Sequence, residues 1–238
     1  MGSSVSNVIV NADDYGMTPE ISITILQAAK DRLIQSVSAD VCNGIARSDA
    51  RRIIASRIPI GLHLNLTQGR PVGSGDGIAG LLVMDGRFKS ASTGLNSHPD
   101  PEPLLAELRN QFERFQIIFD RAPTHIDSHQ HFTYLHPIAF EAMLKLATEN
   151  KLPIRSPRPF THGESLRSFC ERVNTRYGVQ PGFEPEDRAV VLNKILNQYC
   201  PTRRSQELYL DFDQDILNRA RQEGVSAEMI IHPHLERG

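Results

Sequence analysis

Short apolar runs rich in β-branched residues alternate with longer stretches of helical periodicity, and this alternation limits the possible folds most. "NVIVNA" (7–12) reads as a strand, as do "SVSADVC" (36–42), "PIGLHLNL" (59–66), "PTHIDS" (123–128), "LPIRSP" (152–157) and "AEMIIHPH" (227–234). Between and after them lie helical patterns at 18–34, 48–57, 101–119, 136–150, 183–200 and 211–224. The first helix has its own start signal, with Thr18 as N-cap ahead of Pro19. Leu104, Leu105, Leu108, Phe112 and Phe115 form an apolar stripe along the third. Strands alternating with helices in chain order imply a parallel sheet with crossover helices. The alternation runs through all 238 residues without a composition break. It predicts one α/β domain, 1–238, built as a distorted (β/α) barrel with mostly parallel strands. Periodicity alone does not separate this from a doubly wound open sheet.

Two segments break the rhythm, and both read as long loops: 67–100, dense in glycine and serine, and 156–182. The first is long enough to cover its own site or a neighbour's, which leaves a homo-oligomer open. Net charge is −2 with both signs scattered, so neither nucleic acid nor an anionic membrane is an expected partner. Cys42, Cys170 and Cys200 stand far apart without a CxxC pair and read as reduced thiols. The N-terminus lacks the pattern of a signal peptide, and no apolar run approaches the ~20 residues of a membrane helix. A cytoplasmic protein is the expectation.

In parallel β/α folds, ligands bind at the C-terminal ends of strands. Here those ends carry Asp13 and Asp14, then His63, then His125, Asp127, His129 and His131, then Arg155, and finally His232 and His234. Each has an ordinary explanation taken singly: a turn for the aspartates, an interior position for His63, a salt bridge for Arg155. Asp14 is too early to cap a helix that begins at Thr18–Pro19, which weakens the first of these. Clustered histidine and aspartate at short spacing is how divalent metals are held. One carboxylate and two neutral imidazoles leave coordination positions open for hydrolytic chemistry. A second carboxylate can then act as general base, and a histidine across the site can protonate a leaving amine. Adjacent aspartates fit that division, one on the ion and one free to take a proton.

"VNADDYG" (10–16), "GLHLNLTQGRP" (61–71), "PTHIDSHQHFT" (123–133) and the late "HP" at 232–233 together resemble the YdjC-like carbohydrate deacetylases, which include chitooligosaccharide deacetylases. The resemblance covers residues 5–155 well and the tail weakly. It implies a distorted β/α barrel and hydrolysis of N-acetyl groups on amino sugars or small chitooligosaccharides with one divalent metal, zinc or magnesium. It implies Asp14, His63 and His129 as metal ligands, Asp13 as general base, His232 as general acid and Arg155 as an orienting or charge-stabilising residue. The tail reads "HPH" where the family has a plainer "HP", so His234 competes with His232 for the acid. His125 and Asp127 become supports, Asp127 by accepting the second N–H of a ligating histidine. His131 and Tyr15 join them as supporting or substrate-side residues.

Two other readings compete. One is another divalent-metal hydrolase on the same scaffold, a phosphoesterase or cyclic amidohydrolase. Against it, the first strand ends in "DD" rather than in an HxH pair or a DxD spacing. The other is a non-catalytic sugar-binding homologue. There is no tryptophan, so aromatic platforms for a sugar would have to come from Tyr15, Phe132, Tyr134 and Phe160.

Overall fold

The structure is a computed structural model that describes residues 8–177, 182–209 and 214–233. Its elements run β1 (Val8–Tyr15), α1 (Pro19–Lys30), β2 (Ser36–Ala39), α2 (Arg47–Ala55), β3 (Ile60–Leu64), α3 (Ala91–Gly94), α4 (Pro101–Phe119), β4 (Ile126–Ser128), α5 (Phe132–Leu135), α6 (Pro137–Glu149), α7 (Arg158–Thr161), α8 (Gly163–Tyr177), α9 (Pro185–Tyr199), β5 (Glu207–Tyr209), α10 (Gln214–Glu223) and β6 (Ala227–Ile231). The six strands form one sheet in the order β4-β3-β2-β1-β6-β5. Every pairing is parallel.

The two ends of the sheet are joined by backbone hydrogen bonds rather than by a full strand. Ile126 N–H donates to Pro153 O at 3.0 Å, Ile154 N–H to Thr202 O at 2.9 Å, and Arg204 N–H to Ile154 O at 2.8 Å. Ile154 thus makes a parallel bridge to β4 on one side and to Arg203 on the other, and Arg203 leads into β5. The result is a distorted (β/α) barrel. "LPIRSP" contributes only this bridge because Pro153 and Pro157 cannot donate to a ladder.

Local chemistry accounts for the elements around it. Ile21 N–H donates to Thr18 Oγ1 at 3.2 Å, the cap expected for α1. All five residues of the α4 stripe are buried in the core. Each such leucine or phenylalanine contributes about 1.5–3 kcal/mol. The polar face of α4 is also employed. Glu107 accepts from Val72 N–H at 2.9 Å and from Gly73 N–H at 2.8 Å. Gln111 bonds both the N–H and the C=O of Asn65. These contacts tie down the start of the 67–100 segment, which is mostly irregular apart from a turn of 3₁₀ helix at Ala79–Leu81 and α3.

The second expected loop, 156–182, is not one: α7 and α8 occupy most of it. Leu166, Phe169, Cys170 and Val173 recur at helical spacing and pack on the core. Prolines at 157 and 159 and glycines at 163 and 182 bracket that pattern and hide it. Strand β5 was not expected either, being only three residues long. Among the described residues no helix is long and apolar enough to cross a membrane.

Candidate active site

The C-terminal end of β1 is irregular. Ala12 pairs with Val37 and Tyr15 with Ala39, so β1 carries one more residue than β2 over that interval. The extra residue is a bulge, and Asp14 within it has φ +72°, a left-handed conformation that aspartate tolerates better than most side chains. Neighbours on a regular strand point to opposite faces. Here the bulge turns both Asp13 and Asp14 toward His63 on β3. Gly16 then turns the chain at φ +95°, where a Cβ would lie 2.7 Å from Asp40 O.

Asp14 sits between two imidazoles. Its Oδ1 is 3.3 Å from His63 Nε2 and 2.9 Å from His129 Nδ1. The other nitrogen of each ring is engaged elsewhere: His63 Nδ1 lies 2.7 Å from Asp127 Oδ1, and His129 Nε2 lies 3.2 Å from Gln68 Oε1. Each ring thus has an acceptor on both sides, Asp14 on one and Asp127 or Gln68 on the other; loss of the two protons that face Asp14 would leave two nitrogen lone pairs converging beside its carboxylate. Ligand atoms of Asp14, His63 and His129 all lie within 4.8 Å of one another, and all three residues are buried. This donor set could hold a divalent metal ion. Asp13, His63 and Asp127 form a second group of the same compactness, but its carboxylates are already committed to Arg155. Burial opposes ionisation of Asp14, yet hydrogen bonds from His129 and His63 outweigh it and hold the carboxyl well below the usual range. Burial likewise opposes charge on His63, but Asp127 and Asp13 raise its pKa well above that of a free imidazole.

Asp13 is clamped. Arg155 Nη1 donates to its Oδ2 at 2.8 Å and Nη2 to its Oδ1 at 2.6 Å, a bidentate pair. Asn11 Nδ2 adds a bond to Oδ1 at 2.7 Å. Despite burial, Arg155 pulls the Asp13 pKa below its ordinary value. Arg155 is itself fully buried and also contacts Asp127 at 2.6 Å and Glu228 at 3.0 Å. Its guanidinium faces three carboxylates and has no solvent-exposed surface.

The remaining expected residues divide. His232, at the end of β6, brings Nε2 to 3.9 Å from Asp14 Oδ2, and its side chain is 33% exposed. It faces the cluster from the open side; His234 lies outside the described residues. Asp127, expected as a support, places Oδ1 2.7 Å from His63 Nδ1. His125 lies deeper in the barrel, where Arg204 Nη1 donates to its Nε2 at 2.7 Å. Burial first, then Arg204, pushes its pKa well down. The ring fits because position 61 is glycine; a Cβ there would be 2.2 Å from His125 Nε2. His131 follows Gln130 in a second consecutive left-handed conformation and leans on Phe160 and Phe169. Burial, then Arg155, pushes its pKa down to about 3, so the ring is neutral.

Tyr15 requires correction as a supporting or substrate-side residue. It is fully buried, and its hydroxyl donates to Asp49 O at 2.8 Å, inside the core. Phe132, Tyr134 and Phe160 are equally buried and offer no open face to a sugar. Tyr134 and Phe160 stack on each other as part of an aromatic core beneath His131.

Sequence reasoning missed Ser38, Gln68, Arg204 and Glu228; Asn11 stood out only as a flank of the aspartate pair, with no argument for its role. Ser38 donates to Asp127 Oδ2 at 2.6 Å. Glu228 had a readable signal: a lone charge inside the apolar run "AEMII" has no solvent face to occupy on a strand buried on both sides. A cleft of about 900 Å³ lies between α7, α8, α9 and residues 203–206, and none of Asp13, Asp14, His63 or His129 lines it.

Residues 7–237 match the family described as YdjC-like protein. The chain belongs to the YdjC-like family. It is 29% identical over 194 residues to a protein of Clostridium beijerinckii named carbohydrate deacetylase, covering 80% of this chain and 76% of that one. It is 32% identical over 153 residues to a chitooligosaccharide deacetylase of Yersinia pestis, covering 63% of this chain and 59% of the relative. A crystal structure from Enterococcus faecalis V583, described as that of a cellobiose-phosphate cleavage protein, superposes with a TM-score of 0.71 at 22% identity, over 94% of this chain and 78% of that one. That likeness concerns the fold alone.

Proposed function

We propose that this YdjC-like protein is a metal-dependent hydrolase that removes N-acetyl groups from acetylated amino sugars, small chitooligosaccharides foremost, and releases acetate. Membership of the family and the names of the relatives support the substrate class. One observation carries the chemistry: a buried carboxylate lies between two imidazoles whose other nitrogens are already held by Asp127 and Gln68.

Asp14, His63 and His129 would hold the ion. Two nitrogens and one oxygen suit zinc better than magnesium, which prefers an all-oxygen shell. When bound, such a cation polarises the acetyl carbonyl and acidifies water. Arg155 keeps Asp13 ionised and aimed, so that Asp13 accepts the proton of the water attacking the carbonyl carbon. The amide C–N bond breaks as His232 gives a proton to the departing nitrogen. The products are acetate and a free amine on the sugar.

The test is acetate release from di-N-acetylchitobiose, with and without a chelator, alongside metal analysis of the purified protein. Chelation should abolish release and zinc should restore it. A metal-loaded protein that releases no acetate from any acetylated amino sugar would defeat the reading. Turnover of a generic phosphoester in its place would favour a different metallohydrolase.

A further inference from the structure

Arg155 is itself held in place. Its Nε–H donates to Glu228 Oε1 at 3.0 Å, and the same oxygen accepts from Arg204 Nη1 at 3.0 Å. Arg204 Nη1 also lies 2.9 Å from Asn11 Oδ1, and Asn11 Nδ2 donates to Asp13 Oδ1 at 2.7 Å. Two hydrogen-bonded routes therefore leave the Arg204–Glu228 pair and converge on one carboxylate. One passes through Arg155 to both oxygens of Asp13, and the other through Asn11 to Oδ1.

Each route fixes an orientation that the intermediate residue could not fix for itself. A guanidinium fork gripping a carboxylate can still rock about the axis joining them. The bond from Nε to Glu228, together with the contact of Nη2 with Asp127, removes that freedom. An asparagine amide can present either end to its surroundings. An arginine only donates, so Arg204 selects the Oδ1 end of Asn11 and directs Nδ2 to Asp13 and to Ser38 Oγ, 2.9 Å away. The pair is expensive to keep where it is. Glu228 is fully buried, its Oε2 has no hydrogen-bond partner among the described residues, and the Arg204 side chain is 9% exposed. Well-packed apolar residues would often be as stable or more so at such positions.

From this geometry we infer that Arg204 and Glu228 are positioning residues for Asp13, setting the direction in which its carboxylate meets the attacking water. The inference rests on the deacetylase reading above. It assigns a role to two residues from the C-terminal part of the chain, near β5 and on β6.

The experiment is a double-mutant cycle with a structural arm. Glu228→Gln is nearly isosteric and keeps the barrel filled; Arg204→Met, from the other side of the pair, serves if the first variant does not fold. Each should lower kcat by about 10–100-fold, in line with supports displaced from reacting groups. KM should stay within about threefold and metal content should be unchanged, because the change falls on a transition-state contact. In an Asp13→Asn background, Glu228→Gln should alter the residual rate by less than about twofold, since residues acting as a unit are not additive. A merely structural role would instead cost the same factor in both backgrounds, and that result, or an unchanged kcat, overturns the inference. If the wild-type protein deacetylates nothing, the functional reading fails by itself. Crystal structures of the wild type and Glu228→Gln then decide: a rotated Asp13 carboxylate upholds the positioning role, and an unmoved one refutes it.

Discussion

Two adjacent carboxylates at the end of a buried strand repel each other unless their surroundings separate their tasks. The bulge at Asp14 brings both to the same side of β1, and different partners then hold them apart. Asp14 faces imidazoles and Asp13 faces guanidinium. The division makes opposite predictions for the two residues. Asp14→Ala should reduce bound metal to near zero by elemental analysis and lose activity with it. Asp13→Asn should retain full metal and lose about 10²–10⁴-fold in kcat, the range for a missing general base. Equal metal loss in both variants would contradict the division. The carboxylates and histidines were legible in the sequence because several metal-competent side chains at successive strand ends are an improbable accident. Asn11 and Ser38 were not, since a lone polar residue in a strand looks the same whether it faces water or a polar barrel interior, and Arg204 lies ahead of β5 with no strand pattern around it. Tyr15, Phe132, Tyr134 and Phe160 failed as sugar platforms for the converse reason: nothing in a sequence distinguishes an aromatic side chain at a rim from one beneath it.

At the scale of elements, strand and helix order was readable because hydrophobic period depends on burial, which the barrel imposes evenly. Breaks in that period were less readable. The run from Gly163 to Tyr177 folds as a helix although prolines and glycines surround it. The β4–β5 closure depends on single backbone bonds at Ile154 that leave no pattern. Helix α6 shows a further device, a histidine as N-cap. His136 Nδ1 accepts from Ala139 N–H at 3.3 Å, and Nε2 lies 3.0 Å from Ser97 O, tying α6 to the 67–100 segment. The cap needs the neutral ring, because a protonated Nδ1 cannot accept; the bond to Ser97 O needs only the proton on Nε2 and survives in either state. Burial lowers the His136 pKa below the ordinary 6.5. A group depressed in the folded state contributes stability that is present above the unfolded pKa and is lost as pH falls through the folded one. Stability should therefore drop from about pH 6.5 downward, in part through His136. His136→Asn, which caps without titrating, should flatten that slope in urea titrations at a series of pH values. His136→Ala should cost about 1 kcal/mol at pH 8. An unchanged acid slope in His136→Asn would show that the cap does not report on pH.

Over the whole molecule, the metal-competent side chains belong to β1, β3 and the turn after β4, three segments joined to one another only through the sheet. Asp14 and His129 are 115 residues apart in the chain. In the unfolded chain these donors are dispersed, so a cation that binds them binds the folded barrel and stabilises it by mass action. At a free metal concentration of 100 times Kd the gain is about 2.7 kcal/mol, equivalent to about 5–10 °C in Tm for a chain of this length. The stabilisation should fade as pH falls, because protons compete with the ion for imidazole nitrogen. Differential scanning calorimetry with zinc and with a chelator, at pH 8 and at pH 5.5, measures both effects. The expected outcome is a metal-dependent rise in Tm at pH 8, a smaller one at pH 5.5, and none at either pH in Asp14→Ala. A rise that persists in Asp14→Ala would place the stabilising ion elsewhere on the barrel and separate it from the residues assigned here to hydrolysis.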